Sequence, residues 1–163
     1  MKVVIGADSY GLELKDAVKA YLSDKSDIRL EDLGVNRIES ETPYYHIASD
    51  AAKRVANGSA DRGILVCGTG MGMSIIANKH PGVFAAVCET AFAAVKSRSI
   101  NNSNVLTLGG FITTPTIARE IVDAWLSTEF TQGWDPDIRQ WLQNSMGDIN
   151  ELEREQFTKA PRK

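Results

Sequence analysis

The sequence predicts an α/β fold with a five-stranded parallel sheet between two layers of helices. Two observations support this. Short β-branched runs alternate with longer segments whose apolar residues recur every three or four positions. Hydrophobic residues make up 43% of the 163 residues, which suits one ordinary domain core. Five strand–helix units in series favour a parallel sheet covered on both faces, a three-layer, Rossmann-like arrangement.

Each element follows from its own pattern. The predicted strands are apolar runs rich in Val and Ile at 3–5, 28–33, 63–67, 83–87 and 105–108. The predicted helices show apolar residues on one face and cover 14–22, 47–55, 71–79, 91–99 and 117–126.

A further helix is predicted after the sheet is complete. We expect residues 1–132 to form the α/β core, 133–157 the additional helix and 158–163 a frayed tail, all in one domain spanning 1–163. The helix carries an apolar stripe at Ile138, Leu142, Ile149 and Leu152. That stripe either packs on its own domain or, as we expect, lies at an interface with a second copy.

Composition excludes several classes of function. The formal charge of −3, without a basic stripe, argues against nucleic acid, and no apolar run reaches the ~20 residues of a membrane helix. Cys67 and Cys88 are the two cysteines, so we expect a reducing, cytoplasmic setting without a disulfide framework. Neither His46 nor His80 has a close Cys/His partner, so no metal site is expected.

Polar residues follow the predicted strands, and ligands of parallel sheets bind beyond those carboxyl ends. The third strand leads into Cys67-Gly68-Thr69-Gly70-Met71-Gly72-Met73. This turn is not a G-x-G-x-x-G dinucleotide motif, because position 73 is methionine, and no Walker loop follows, so no cofactor is expected. The free N–H groups of the turn are suited to a phosphate or to an oxyanion formed during reaction.

Several side chains near these ends have two interpretations each. Cys67 is either a thiolate that takes a proton from carbon or a small buried hydrophobe. Thr69 either relays a proton or caps the next helix, and Asp8 either caps the first helix or holds substrate hydroxyls. Arg98 and Arg139 are candidate anion ligands, although most arginines only solvate a surface. Asn101 precedes the fifth strand and reaches the crevice only if its loop folds over it.

From Lys2 to about Trp141, the chain resembles the ribose 5-phosphate isomerase B and galactose 6-phosphate isomerase family. The motifs that carry the resemblance are Ile5-Gly6-Ala7-Asp8 with Gly11 and Lys15, the run Gly63 to Gly72, Ala77-Asn78-Lys79 with Pro81-Gly82, and Asn101 to Leu106. A Cys-Gly-Thr-Gly-x-Gly turn followed by Ala-Asn-Lys is specific to this pattern.

The resemblance implies a cofactor-free aldose–ketose isomerase that acts on a phosphorylated sugar through an enediolate. Cys67 would be the base, Asn101 and the N–H groups of the turn would hold the enediolate oxygen, and Thr69 and Asp8 would handle hydroxyl protons. Binding residues would be Ser9, Tyr44, Gly68, Gly70, Met71, Gly72, Arg98 and Arg139. Members are dimers or tetramers whose sites lie at a subunit interface.

Three positions depart from the family pattern. Ser9 and Ile100 stand where histidines are usual, the second being the acid that opens the sugar ring, and Phe111 replaces an arginine. Arg139 is the one remaining match to a C-terminal arginine pair. A tetrose 4-phosphate needs no ring opening and explains Ile100, whereas a pentose or hexose phosphate remains the alternative. A partner subunit of an unlike chain and a non-catalytic sugar-phosphate sensor are the rival classes.

Overall fold

A computed structural model describes residues 1–40 and 42–158 of the chain. The predicted tail therefore lies outside the described residues, apart from Thr158. The strands are β1 Lys2–Ala7, β2 Arg29–Asp32, β3 Arg62–Cys67, β4 Ala85–Val87 and β5 Val105–Gly109. The helices are α1 Leu12–Ser23, α2 Tyr44–Ala56, α3 Met71–Ala77, α4 Ala91–Ser99, α5 Pro115–Ser127 and α6 Pro136–Thr158.

The sheet confirms the predicted parallel architecture. Its strand order is β2-β1-β3-β5-β4, with every neighbouring pair parallel. The chain runs outward from β1 to β2, then returns to place β3 on the other side of β1. This reversal opens a crevice at the carboxyl ends of β1 and β3, the place where open α/β sheets bind ligands.

Helices cover both faces of the sheet, as the patterns predicted. One apolar cluster joins β-strand residues such as Ile5 to α1, α4 and α5, and centres on the fully buried Trp125. The other joins alternate strand residues to α2 and α3, and includes Cys67 and Met73. Burial on both faces explains why the strands read as continuous apolar runs.

The third helix ends two residues earlier than predicted, at Ala77, because the side chain of Asn78 bonds to the backbone of β4. Its side-chain amide pairs with the backbone of β4, accepting from the Ala85 N–H at 2.7 Å and donating to the Ala85 carbonyl at 2.9 Å. The Ala-Asn-Lys motif therefore fixes the start of β4 to the end of α3.

The last helix begins at Pro136, three residues later than predicted, and extends to Thr158. Leu142 is buried, whereas Ile138, Trp141 and Leu152 on the same side remain exposed. Glu153 accepts from the Gly82 N–H at 2.9 Å, which fastens the second half of the helix to the loop before β4. Within residues 1–40 and 42–158, no helix is both long and apolar enough to cross a membrane.

Candidate functional site

The register of the sheet brings the ends of three strands into one row. Ala7 pairs with Val66, so the next residues, Asp8 and Cys67, are neighbours, and Cys67 itself pairs with Gly109. Adjacent strands lie about 4.8 Å apart. A small molecule placed over this row can therefore contact the carboxylate, the thiol and the glycine backbone at once.

The sulfur of Cys67 is buried and is held by the turn that follows it. Its Sγ accepts from the Gly70 N–H at 3.1 Å. Gly70 has a φ of +77°, and a Cβ there would lie 3.0 Å from the carbonyl carbon of Leu108. Glycine is required at this position both by conformation and by space. An N–H directed at sulfur stabilises the thiolate that a base requires.

The loop after β5 locks the cysteine turn in place. The Gly110 N–H donates to the Cys67 carbonyl at 2.7 Å, and the Phe111 N–H donates to the Gly68 carbonyl at 2.9 Å. A Cβ on Gly109 would lie 2.9 Å from the backbone of Thr69. The two loops thus touch backbone to backbone, which gives the turn a fixed geometry without help from bound groups.

Thr69 and Met71 stand on the solvent side of this turn. The Thr69 Oγ1 accepts from the Met71 N–H at 3.4 Å, a long hydrogen bond at the first residue of α3. The Thr69 side chain is exposed, so its hydroxyl proton can still be directed at a bound molecule. Capping and proton relay, the two interpretations of Thr69, are therefore compatible.

Asp8 forms a turn of its own and does not act as the predicted helix cap. Its Oδ1 accepts from the Tyr10 N–H at 3.1 Å and the Gly11 N–H at 3.0 Å, whereas the N-cap of α1 is Gly11. Burial raises the pKa of the Asp8 carboxyl, and the two N–H donors partly oppose that rise. Such a carboxyl is suited to exchanging protons with substrate hydroxyls. Ser9, beside it, is half-buried.

Tyr44 lies against the far end of the glycine turn. A Cβ on Gly72 would be 2.8 Å from the Tyr44 ring, so the ring is in contact with the glycine backbone. The Tyr44 side chain is nevertheless partly exposed at the first residue of α2. Tyr44 therefore packs against the glycine turn at Gly72, the residue after Met71.

Two predicted site residues lie at the opposite edge of the sheet. Asn101 is an exposed turn residue between α4 and β5, and Asn104 of the same loop donates to the Phe84 carbonyl at the start of β4. The five residues of β5 rise about 3.3 Å each, so the two edges are about 13 Å apart. Arg139 is exposed near the start of α6 and donates to the Trp134 carbonyl.

The segment that precedes α6 lies beside the end of α4. Thr131 donates its N–H to the Ser99 carbonyl at 3.0 Å, and the Lys96 ammonium lies 4.5 Å from the centre of the Trp134 ring. The structure therefore brings the regions of Asn101 and Arg139 towards each other, and it brings neither to the Cys67 of the same chain.

The prediction that Arg98 binds substrate is corrected by its burial. The side chain is 2% exposed and donates to the Thr128 and Ser103 carbonyls at 3.2 and 2.6 Å. Burial lowers the pKa of Arg98 to about 10, with repulsion from Arg62 adding to the effect and Glu129 opposing it. Arg98, on α4, donates to a carbonyl before β5 and to one after α5, so it holds these three elements together inside the fold.

Two aromatic rings contact each other at the crevice, although the sequence singled out Phe111 only as a departure from the family pattern and Tyr10 not at all. The ring of Phe111 contacts Gly68, where a Cβ would lie 2.7 Å from it, and meets the Tyr10 ring edge-on at 5.7 Å between centroids. Tyr10 belongs to the Asp8 turn. An aromatic residue directly after each strand-end motif is the sequence signal that could have identified this pair.

Comparison with known proteins identifies a family and several relatives that are named as isomerases. A family model described as Ribose/Galactose Isomerase matches residues 3–140. A 4-deoxy-4-sulfo-D-erythrose isomerase from Clostridium sp. (strain MSTE9) is 40% identical over 98% of this chain and 100% of its own. A D-erythrulose-4-phosphate isomerase from Pectobacterium atrosepticum is 39% identical over 82% of this chain and 87% of its own.

Solved structures give the same result. A Clostridium thermocellum ribose-5-phosphate isomerase B is 37% identical and superposes with a TM-score of 0.86, covering 95% of this chain and 99% of the other. The residues that the family model matches, 3–140, include the sheet from Val3 onward and the turn that holds Cys67. The chain therefore belongs to the Ribose/Galactose Isomerase family of aldose–ketose isomerases, as the motifs around Cys67 predict.

Proposed function

We propose that this chain interconverts a four-carbon aldose and ketose that carry an anionic group on C4, with tetrose 4-phosphates as the first candidate. The observation that carries the proposal is Ile100, the residue that ends α4 with a hydrocarbon side chain. An aldose closes a five-membered ring through the oxygen on C4. When C4 carries phosphate, that ring cannot form, and an acid that opens rings is unnecessary.

The residues at the carboxyl edge supply the proton transfer. The Cys67 thiolate takes the proton from the carbon beside the carbonyl, the electron pair moves onto the carbonyl oxygen, and the thiol returns the proton to the neighbouring carbon. N–H groups of the Gly68 to Gly72 turn hold the developing negative oxygen. Each such donor contributes roughly 3–4 kcal/mol, and a positioned base contributes ~10²–10⁴ in rate.

The hydroxyl protons also have to move. As the carbonyl changes carbon, one oxygen gains a proton and its neighbour loses one. Asp8, whose pKa is raised by burial, and the exposed Thr69 hydroxyl flank the same row and are suited to this exchange. No metal or organic cofactor is needed for these steps, since every proton has a donor and an acceptor among the side chains and the substrate.

The proposed site is completed by a second copy of the chain. Asn101 lies about 13 Å from the Cys67 edge of its own sheet, and Arg139 is exposed near the start of α6, after the segment that contacts the end of α4. The exposed side chains of Ile138, Trp141 and Leu152 along α6 form an apolar surface that supports pairing. We therefore assign a homodimer or homotetramer, in which the Asn101 of one chain approaches the Cys67 of another, in a reducing compartment such as the cytoplasm.

A C4 sulfonate is the second candidate for the anionic group. The sulfoerythrose isomerase relative aligns over its entire length, including the long α6. One arginine, Arg139, remains of the expected pair, and one cation balances the single charge of a sulfonate better than the charge of −1.5 to −2 on a phosphate monoester.

The test compares kcat/KM of the pure protein for erythrulose 4-phosphate, 4-deoxy-4-sulfoerythrulose and ribulose 5-phosphate. We expect a tetrose to be the best substrate by at least tenfold. A wide preference for the pentose would refute the tetrose assignment. Inactivity of the homo-oligomer on all three would favour an unlike partner chain or a sensor.

A further inference from the structure

The ring of Phe111 forms the wall of the crevice at the end of the glycine turn. It lies in contact with Gly68, one residue beyond Cys67, while 71% of its side chain stays exposed. The Phe111 N–H donates to the Gly68 carbonyl at 2.9 Å, so the backbone that carries the ring is fixed to the turn.

Tyr10 continues this wall across to the Asp8 turn. The two rings meet edge-on, at 69° between their planes, and border a cavity of about 350 Å³ that is also lined by Glu13, Leu14 and the start of α5. Phe111 contacts Gly68, the residue after Cys67, and the Tyr10 N–H donates to Asp8, so both rings adjoin the row of strand ends where the substrate carbonyl would lie.

The segments that form this part of the crevice contain no basic residue. Residues 8–13, 67–74 and 109–115 include Asp8 and Glu13 but neither lysine nor arginine. Buried Arg98 is committed to backbone carbonyls at the other edge. Within one chain, the anionic end of a substrate therefore meets an aromatic wall, two carboxylates and neutral hydrogen-bond donors, and Arg139 of a second copy is the one cation that the proposed assembly adds.

The number of charges on the anionic group determines how much free energy its transfer from water into these surroundings costs. The cost of removing an ion from water grows with the square of its charge, so a doubly charged group pays about four times the cost of a singly charged one. Neutral N–H and hydroxyl donors can satisfy the oxygens of either group, but they do not neutralise a second charge. A phosphate monoester loses its second proton near pH 6, whereas a sulfonate carries one charge throughout.

We propose that Phe111 is a specificity-determining residue that makes the crevice select a singly charged group, such as a sulfonate, over a phosphate dianion. This inference rests on the proposed function, because it concerns the far end of the same substrate. It predicts that the ratio of kcat/KM for erythrulose 4-phosphate to that for 4-deoxy-4-sulfoerythrulose is below one at pH 8.

The decisive variant is Phe111→Arg. An arginine at this exposed position can pair with the second charge of a phosphate, so we expect the phosphate-to-sulfonate ratio to rise tenfold or more. The matched control is Phe92→Arg on α4, where the replaced ring is also 71% exposed but does not contact the glycine turn. We expect that variant to keep the wild-type ratio within about twofold.

A second measurement uses the unmodified protein. The phosphate-to-sulfonate ratio is followed from pH 5 to pH 8, because a ratio cancels every effect of pH on the enzyme that is common to both substrates. We expect the ratio to fall as phosphate becomes a dianion near pH 6. This measurement tests the preference for a singly charged group even if Phe111→Arg does not fold, and a ratio that does not fall overturns the proposal.

The outcomes separate this inference from the proposed function. A ratio that does not fall with pH, a wild type that prefers the phosphate at pH 8, or a folded Phe111→Arg with the wild-type ratio would each overturn the role of Phe111. An equal shift in Phe92→Arg would overturn it too, because surface charge alone would then explain the gain. A wild type that prefers ribulose 5-phosphate to both tetroses would instead overturn the four-carbon assignment.

Discussion

The two edges of the sheet are built in different ways. At the carboxyl edge, the loops after β1, β3 and β5 contact one another through glycine backbones, and Cys67 and Asp8 each accept hydrogen bonds from their own turns. At the opposite edge, Asn101 and Arg139 project from exposed positions beside α6, whose apolar side chains are largely uncovered.

This contrast indicates which parts of the site one chain holds in place by itself and which parts need a second chain. The proton-transfer groups are fixed by contacts within the chain and need no further support. The groups at the other edge have polar side chains in solvent and apolar neighbours without a partner in the described part of the chain, as expected of a surface that another copy covers.

The largest effect is expected from Cys67→Ala, which removes the base and leaves the turn to its backbone contacts. We expect kcat to fall by at least ~10³, close to the upper end of what a positioned base contributes. Solvent deuterium incorporation into the best substrate should fall equally, because it depends on the same proton transfer.

Cys88→Ala is the matched control for this change. Cys88 is also buried, but it lies on the other face of the sheet, where its sulfur contacts the Ser97 hydroxyl at 3.7 Å. We expect full activity, with a loss of stability of about 1 kcal/mol from the smaller side chain. Undiminished deuterium exchange in Cys67→Ala would remove cysteine from the mechanism.

The next effect tests whether the two edges meet in the assembled protein. Asn101→Ala and Cys67→Ala are each expected to lose at least ~10² in kcat. If each site combines the edges of two chains, a refolded mixture of the two variants contains some intact sites. Random pairing in a dimer restores about a quarter of wild-type activity. A mixture no more active than the better variant would show that Cys67 of one chain and Asn101 of another do not share a site.

The sequence predicted all five strands and the helices that separate them, because each is a local pattern of apolar spacing. It also located Asp8 and the Cys67 turn, since the ends of parallel strands share an edge. The end of α3 was missed because Asn78 bonds to β4, a contact between segments that pattern alone does not connect.

The remaining errors have the same origin in long-range packing. The burial of Arg98 depends on the Thr128 carbonyl, 30 residues away. The contact of Phe111 with Gly68 depends on β5 lying next to β3, out of sequence order. The type of a residue and its local spacing do not contain this information. They indicate which residues are candidates for catalysis or binding, but not at which edge of the sheet those residues lie.

A smaller effect is expected from Trp141→Glu on α6. Trp141 is 65% exposed in the chain, so the change costs little in the fold, but a charge buried in an interface costs several kcal/mol. We expect a smaller species by light scattering and about a tenfold loss of activity at nanomolar protein, recovered at high concentration. Gln143→Glu, about 200° around α6 from Trp141 and also exposed, is the control and should keep the wild-type mass. An unchanged mass for Trp141→Glu would move the interface elsewhere.

The smallest effect concerns stability at the carboxyl edge and comes from Asp8→Asn. Burial raises the folded-state pKa of Asp8 above its ordinary value near 3.9, so the folded protein holds more protons than the unfolded chain between those values. Stability therefore falls as pH rises through that window, and the cost persists at neutral pH. The asparagine Oδ1 can still accept from Tyr10 and Gly11, so the variant should have a higher Tm than the wild type at pH 7 and an equal one below pH 4. A Tm difference independent of pH, or one reproduced by Asp148→Asn on the exposed side of α6, would contradict a buried, charged Asp8.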